Sequence, residues 1–261
     1  RLPPVPDLSG LPAAAAQAIT AADAAARTRP TSARVGGLAV VYQGNLLPDQ
    51  ALHAYAVAES LDPDDWQWPY YRGLILLERG DQISAAGAFR AVTASSPAGG
   101  LAQFHLAEIA FKTGRREDAE AAYLAAQSAP ALSAPTIDAG PPRKAIPLAA
   151  HASFGLARLL LDRGEVDAAR TRLTTLVAAH PEFGSAQSLR RRLDDQRSDP
   201  AADDGRAYVP PADPVVDALV ASSVHSDLLL KYAGLATRAG DDAWREFLAR
   251  RALRFNPDDL N

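Results

Sequence analysis

Residues 85–126 read AAGAFRAVTASSPAGGLAQFHLAEIAFKTGRREDAEAAYLAA, and this stretch decides the architecture. Ala85 and Phe89 at its start return as Ala119 and Tyr123 after 34 residues, with Gly114 lying between two apolar patterns of helical spacing. Upstream, Ala51 and Tyr55 precede Ala85 and Phe89 by the same 34 residues, and Pro63 precedes Pro97 likewise. Gly80, Gly164 and Gly240 stand where Gly114 does, each between two helical patterns, and Pro97, Pro181 and Pro257 follow them by 17 residues. After Gly114 the proline comes one residue early, at Pro130. Registers that agree at one period predict helix-turn-helix units stacked in a row. Small residues at fixed spacing let two helices approach, an aromatic fills the gap to the next unit, and proline stops the second helix.

Composition agrees. The 261 residues include 56 Ala and 32 Leu but only 19 Val and Ile, with 7% aromatics, which disfavours a strand-rich fold. With 48% apolar residues the chain can bury a core. A net charge of -4, with 24 Arg and 3 Lys, excludes a nucleic-acid surface, because phosphate neutralisation needs a concentrated basic excess. The absence of cysteine excludes disulfides, thiolate metal sites and a cysteine nucleophile. No run reaches the roughly 18 apolar residues of a spanning helix, so no membrane-spanning segment is expected. The chain opens Arg1-Leu2-Pro3-Pro4-Val5-Pro6, which reads as a tether after a removed leader, and it contains no Met. The expected location is periplasmic or secreted, with the cytoplasm as the alternative.

These spacings resemble the tetratricopeptide repeat, a 34-residue helix-turn-helix unit. Residues 32–65 supply Leu38, Ala39, Tyr42, Ala51, Tyr55, Ala58 and Pro63; residues 66–99 supply Gly73, Gly80, Ala85, Phe89 and Pro97, with Val92 in place of the usual Ala. Residues 100–133 supply Leu106, Ala107, Gly114, Ala119, Tyr123 and Ala126; residues 150–183 supply Leu156, Ala157, Gly164, Ala169, Leu173, Leu176 and Pro181. A fifth unit from about Ser226 keeps Ala233, Gly240, Ala252 and Pro257 but departs at Arg245 and Ala249. The resemblance implies an all-α, right-handed α-solenoid of about five such repeats with an N-terminal capping helix. The segments expected are a Pro-rich leader and helix (1–31), repeats one to three (32–133), a Pro-rich insertion (134–149), repeat four with a following helix (150–197), a linker (198–213) and C-terminal helices with a degenerate repeat (214–261). Pro69 is expected to open the first helix of the second repeat.

In such repeats, positions 2, 5, 9, 12 and 13 of each first helix face a concave groove. Position 5 gives Tyr70, Phe104 and Phe154; position 12 gives Leu77, Phe111 and Leu161; positions 9 and 13 give Glu108, Lys112, Arg158, Asp162 and Glu78. An apolar floor with a charged rim suits an extended peptide or a partner helix. Arg143 and Lys144, in the insertion, add a basic contact spot. The carboxylate clamp of heat-shock chaperone adaptors in this family is absent, since Ala33, Gly36, Gly37 and Val40 occupy its positions. Arg190, Arg191 and Arg192, followed by Asp194 and Asp195, read as an ion-paired solvent stripe.

The expected function is a non-enzymatic scaffold binding a protein or peptide in this groove. The alternative is an accessory subunit of an envelope or redox complex, docking through its convex face and a patch of Trp244, Phe247 and Phe255. No catalytic residue, cofactor or metal is expected. His105, Glu108 and His151 are the nearest approach to a ligand set, but Glu108 and His151 sit at opposite ends of different helices while zinc bonds are near 2 Å.

Overall fold

The computed structural model describes residues 1–92, 96–130, 132, 140–141, 143, 145–195 and 208–256. These form thirteen helices and, among the described residues, no strand. In order they are α1 (Ala13–Thr28), α2 (Ser32–Gly44), α3 (Pro48–Leu61), α4 (Gln67–Glu78), α5 (Gln82–Ala91), α6 (Gly99–Lys112), α7 (Arg116–Ser128), α8 (Leu148–Asp162), α9 (Val166–Ala179), α10 (Gly184–Asp194), α11 (Pro214–Ser222), α12 (Ser226–Ala239) and α13 (Asp242–Phe255). Five hairpins, α2–α3, α4–α5, α6–α7, α8–α9 and α12–α13, give the α-solenoid pairing that the spacing predicts.

The turns explain themselves. Gly80, Gly114, Gly164 and Gly240 all take left-handed φ, between 68° and 79°, where a Cβ is penalised. Thr31 caps α2 and Asp81 caps α5 by accepting backbone N–H groups of Arg34 and Ser84. One start differs from expectation: α4 begins at Gln67, two residues before Pro69. The first four N–H groups of a helix have no intrahelical acceptor, so proline at the third position forfeits nothing.

The contacts divide the chain into two compact units that interleave along the sequence. Unit 1 comprises Arg1–Thr93, Ser133–Lys144 and Asp213–Asn261; unit 2 comprises Ala94–Leu132 and Ala145–Ala212. In unit 1, α1 packs on α2, α3 on α4, and α11 on both α2 and α12. In unit 2, α7 packs on α8 and α9 on α10.

Within both units the period repeats as burial. Ala51, Ala85, Ala119 and Ala169 are fully buried, as are Tyr55, Phe89, Tyr123 and Leu173 four residues on. Tyr55 and Tyr123 fill the space between one hairpin and the next within their units. Tyr55 stacks on Tyr71 of the following repeat, with centroids 5.5 Å apart. Tyr123 lies against Gly155 of α8, where a Cβ would come within 2.3 Å of its ring.

Gly155→Ala therefore sets a helix-propensity gain of about 1 kcal/mol against an overpacking cost of about 1–3 kcal/mol. Tyr123 is held by its hydroxyl and by Phe104, so the expected outcome is a net loss of stability in urea unfolding. Gly37 in α2 has open space around its would-be Cβ, and Gly37→Ala is expected to stabilise by about 0.5–1 kcal/mol. Stabilisation by both substitutions would show that the α7–α8 contact is loose.

Candidate functional site

In unit 2 the wall made by α6 and α8 carries Phe104 and Phe154, and both rings are buried. The cover comes from the chain itself. Tyr208 lies flat on Phe154, with centroids 5.7 Å apart and planes 13° apart, and edge-on to His151 at 5.8 Å. Its hydroxyl is 3.0 Å from His151 Nδ1. Phe183 also packs against these rings, 4.7 Å from His151 and 5.3 Å from Phe154. Burial, reinforced by His180, pushes the His151 imidazole down to about 3. A neutral Nδ1 can then accept the phenolic proton, and burial keeps the Tyr208 phenol protonated.

The charged rim of this wall is internally paired. Glu108 accepts from the Tyr123 hydroxyl and from Arg158 Nη1 at 2.9 Å, while the Arg158 guanidinium covers Phe111 at 4.4 Å. Phe111, Arg158 and Leu161 are half-buried, and Lys112 is exposed. With the half-buried Glu108 and the exposed Asp162, which pairs with Arg116, these four form the accessible part of the predicted surface on unit 2.

In unit 1 the corresponding wall is covered by α11 and α12. The Tyr70 hydroxyl donates to Asp213 Oδ2 at 2.6 Å, and the Tyr71 hydroxyl to the Val215 carbonyl at 3.3 Å. Asp213 also caps α11 by accepting from Val215 and Val216, with Pro214 at the first helical position. Lys231 of α12 pairs with Glu78 at 3.0 Å, beside the half-buried Leu77. Tyr70 is fully buried.

The sequence reading puts Tyr70, Phe104 and Phe154 on an open floor; the structure covers all three from within the chain. The physical reason is that an apolar wall left bare costs free energy, and the C-terminal third supplies aromatic and aliphatic groups to cover it.

Arg143 is likewise turned inward. It donates to Asp217 and, at 2.8 Å, to Asp241, and its guanidinium lies 5.1 Å from the Trp244 ring. Trp244 is buried beneath it, so of the C-terminal patch only the half-buried Phe247 and Phe255 reach the surface. Burial raises the Asp217 carboxyl to about 7, against the opposing pull of Arg143. Lys144 and Pro257 lie outside the described residues. Sequence reasoning missed Tyr208, Asp213, Asp217 and Asp241. Two signals were present: a lone aromatic in a Pro- and Asp-rich connector, and the Asp213-Pro214 pair that marks a helix start.

His151 makes unit 2 acid-sensitive. Its folded pKa near 3 lies below the ordinary 6.5, so below pH 6.5 the unfolded chain binds a proton that the folded chain refuses. Stability falls as pH drops through that window, by about 2 kcal/mol at pH 5 at 1.36 kcal/mol per pKa unit. His151→Phe is expected to flatten this dependence when hydrogen exchange of α8 is followed from pH 7 to pH 5. An unchanged slope would refute the assignment.

No described helix is long and apolar enough to cross a membrane. The sequence profile of the tetratricopeptide repeat matches residues 36–82, 83–135, 137–182 and 154–215. Over 101 residues the chain is 40% identical to the cytochrome c-type biogenesis protein CycH of Rhizobium meliloti (strain 1021). That match takes in 36% of this chain and 26% of CycH, so the chain spans about a quarter of that relative's length. Among solved structures, the C-terminal part of a TPR repeat-containing protein from Cytophaga hutchinsonii has a TM-score of 0.53 at 15% identity, over 95% of this chain and 92% of that one, a likeness of fold. With its 34-residue period, its buried Ala and aromatic registers and a repeat profile that matches most of its length, the chain belongs to the tetratricopeptide repeat family.

Proposed function

We propose that this chain is a holding scaffold in cytochrome c-type biogenesis, which receives a polypeptide partner on the first-helix wall of unit 2, in the periplasm. Its family is one of protein-interaction scaffolds, and the similarity to CycH supports the assembly context. The observation that carries the wall assignment is the cluster of Phe104, His151, Phe154 and Phe183, which already holds the ring of Tyr208, followed in sequence by Pro210 and Pro211. Phe111, Arg158, Leu161 and Lys112 border it and supply accessible apolar and charged contacts. The role is to hold and present rather than to carry out a reaction, and it requires no cofactor.

Calorimetric titration of the full chain with a c-type cytochrome polypeptide lacking haem tests the reading. Saturable micromolar binding is expected, about −8 kcal/mol, weakened several-fold by Lys112→Glu with Phe111→Ala. An absence of heat at concentrations well above that range would refute it.

A further inference from the structure

Tyr208 stands apart from the rest of the packed interior. It comes from no helix, and among the described residues Tyr208–Ala212 take part in no backbone hydrogen bond. The Tyr208 side chain anchors the start of the segment through the stack on Phe154, the edge contact with His151 and the hydroxyl bond to Nδ1, and Pro211 is buried further along. The ring packs against both apolar clusters of unit 2, the one around Phe104 and Tyr123 and the one around Phe154 and Phe183. Behind it come Val209, Pro210 and Pro211, and two successive prolines impose an extended polyproline conformation with no internal hydrogen bonds. A ring seated in an aromatic pocket, a hydroxyl matched to one acceptor and a pre-extended backbone are the attributes of a bound peptide.

We propose that the Phe104, His151, Phe154 and Phe183 pocket is a receptor for a tyrosine that precedes a proline-containing extended segment of a partner polypeptide, and that Tyr208 occupies it in cis until such a segment displaces it. The inference rests on the reading of this wall as a polypeptide surface and adds the recognised group. A tethered occupant acts at an effective concentration of about a millimolar. A free peptide with an intrinsic dissociation constant near 100 μM is therefore held off about tenfold.

The test is fluorescence anisotropy with a fluorescein-labelled peptide of the sequence of residues 205–212, titrated with the full-length chain. Tyr208→Ala is expected to bind it about tenfold more tightly than the unaltered chain, and a peptide with alanine for the tyrosine is expected not to bind. Should Tyr208→Ala lose helicity, Tyr208→Leu keeps an apolar cover on Phe154 and is expected to bind with an intermediate gain. Equal affinity for all variants, or equal binding of the tyrosine-free peptide, overturns the proposal. A chain that binds the haem-free cytochrome polypeptide but shows no gain for this peptide in any Tyr208 variant overturns the tyrosine pocket and leaves the scaffold reading standing.

Discussion

Replacing Arg143 with alanine is expected to remove about 3–5 kcal/mol from the stability of unit 1 at pH 8, because it takes away the guanidinium that bridges two buried carboxylates. Asp217 and Asp241 are both nearly inaccessible, and the Arg143 guanidinium bridges them while capping Trp244. The pH dependence identifies the cause. With Asp217 at about 7 when folded and near its ordinary 3.8 when unfolded, the folded chain retains a proton that the unfolded chain has released. Stability therefore declines as pH rises from about 4 to 7. Without Arg143 the folded pKa moves higher still, so the deficit of Arg143→Ala is largest at pH 8 and smallest near pH 5. Trp66, Trp68 and Trp244 all belong to unit 1, which makes tryptophan fluorescence in urea the natural readout. A deficit below about 1 kcal/mol, equal at both pH values, would show that the bridge contributes little.

The second large effect is at Tyr123. Tyr123→Ala is expected to cost about 3–5 kcal/mol, since it opens a cavity where α6, α7 and α8 meet. The ring is fully buried, is edge-on to Phe104 at 6.0 Å and lies against Gly155. Tyr123→Phe keeps the ring and loses only the hydroxyl's bond to Glu108, which retains Arg158 as a partner. That variant is expected to cost about 0.5–1.5 kcal/mol. Hydrogen exchange of the α6 and α8 amides separates the two, and equal damage by both would mean that the hydroxyl network, not the packing, joins the hairpins.

The repeats were legible because their determinants are local and periodic. Ala85 and Ala119 must be small for helices to touch, Gly114 must turn with positive φ, and Tyr123 must fill a gap; each requirement marks the sequence at a fixed spacing. The fate of the first-helix wall was not legible, because it is decided by partners far along the chain. Tyr70 finds Asp213 across 143 residues and Arg143 finds Asp217 across 74, and no period connects them. Glu108 and Arg158 each read as a rim charge, and they pair with each other across neighbouring hairpins. The short α11 escaped notice as a separate helix, although Asp213-Pro214 is a capping signal in its own right. The position-5 aromatics Tyr70, Phe104 and Phe154 are all buried, and what periodicity does not convey is that the chain carries its own cover for them.

The central claim is that polypeptide is held on the first-helix wall of unit 2. Its most direct test is to add a haem-free c-type cytochrome polypeptide to the isotope-labelled chain and follow the amide resonances. The account predicts perturbations concentrated in 101–112, 151–161 and at Tyr208, with α7 and α9 unmoved. Perturbations confined to α7 and α9, or none at saturating partner, would contradict it.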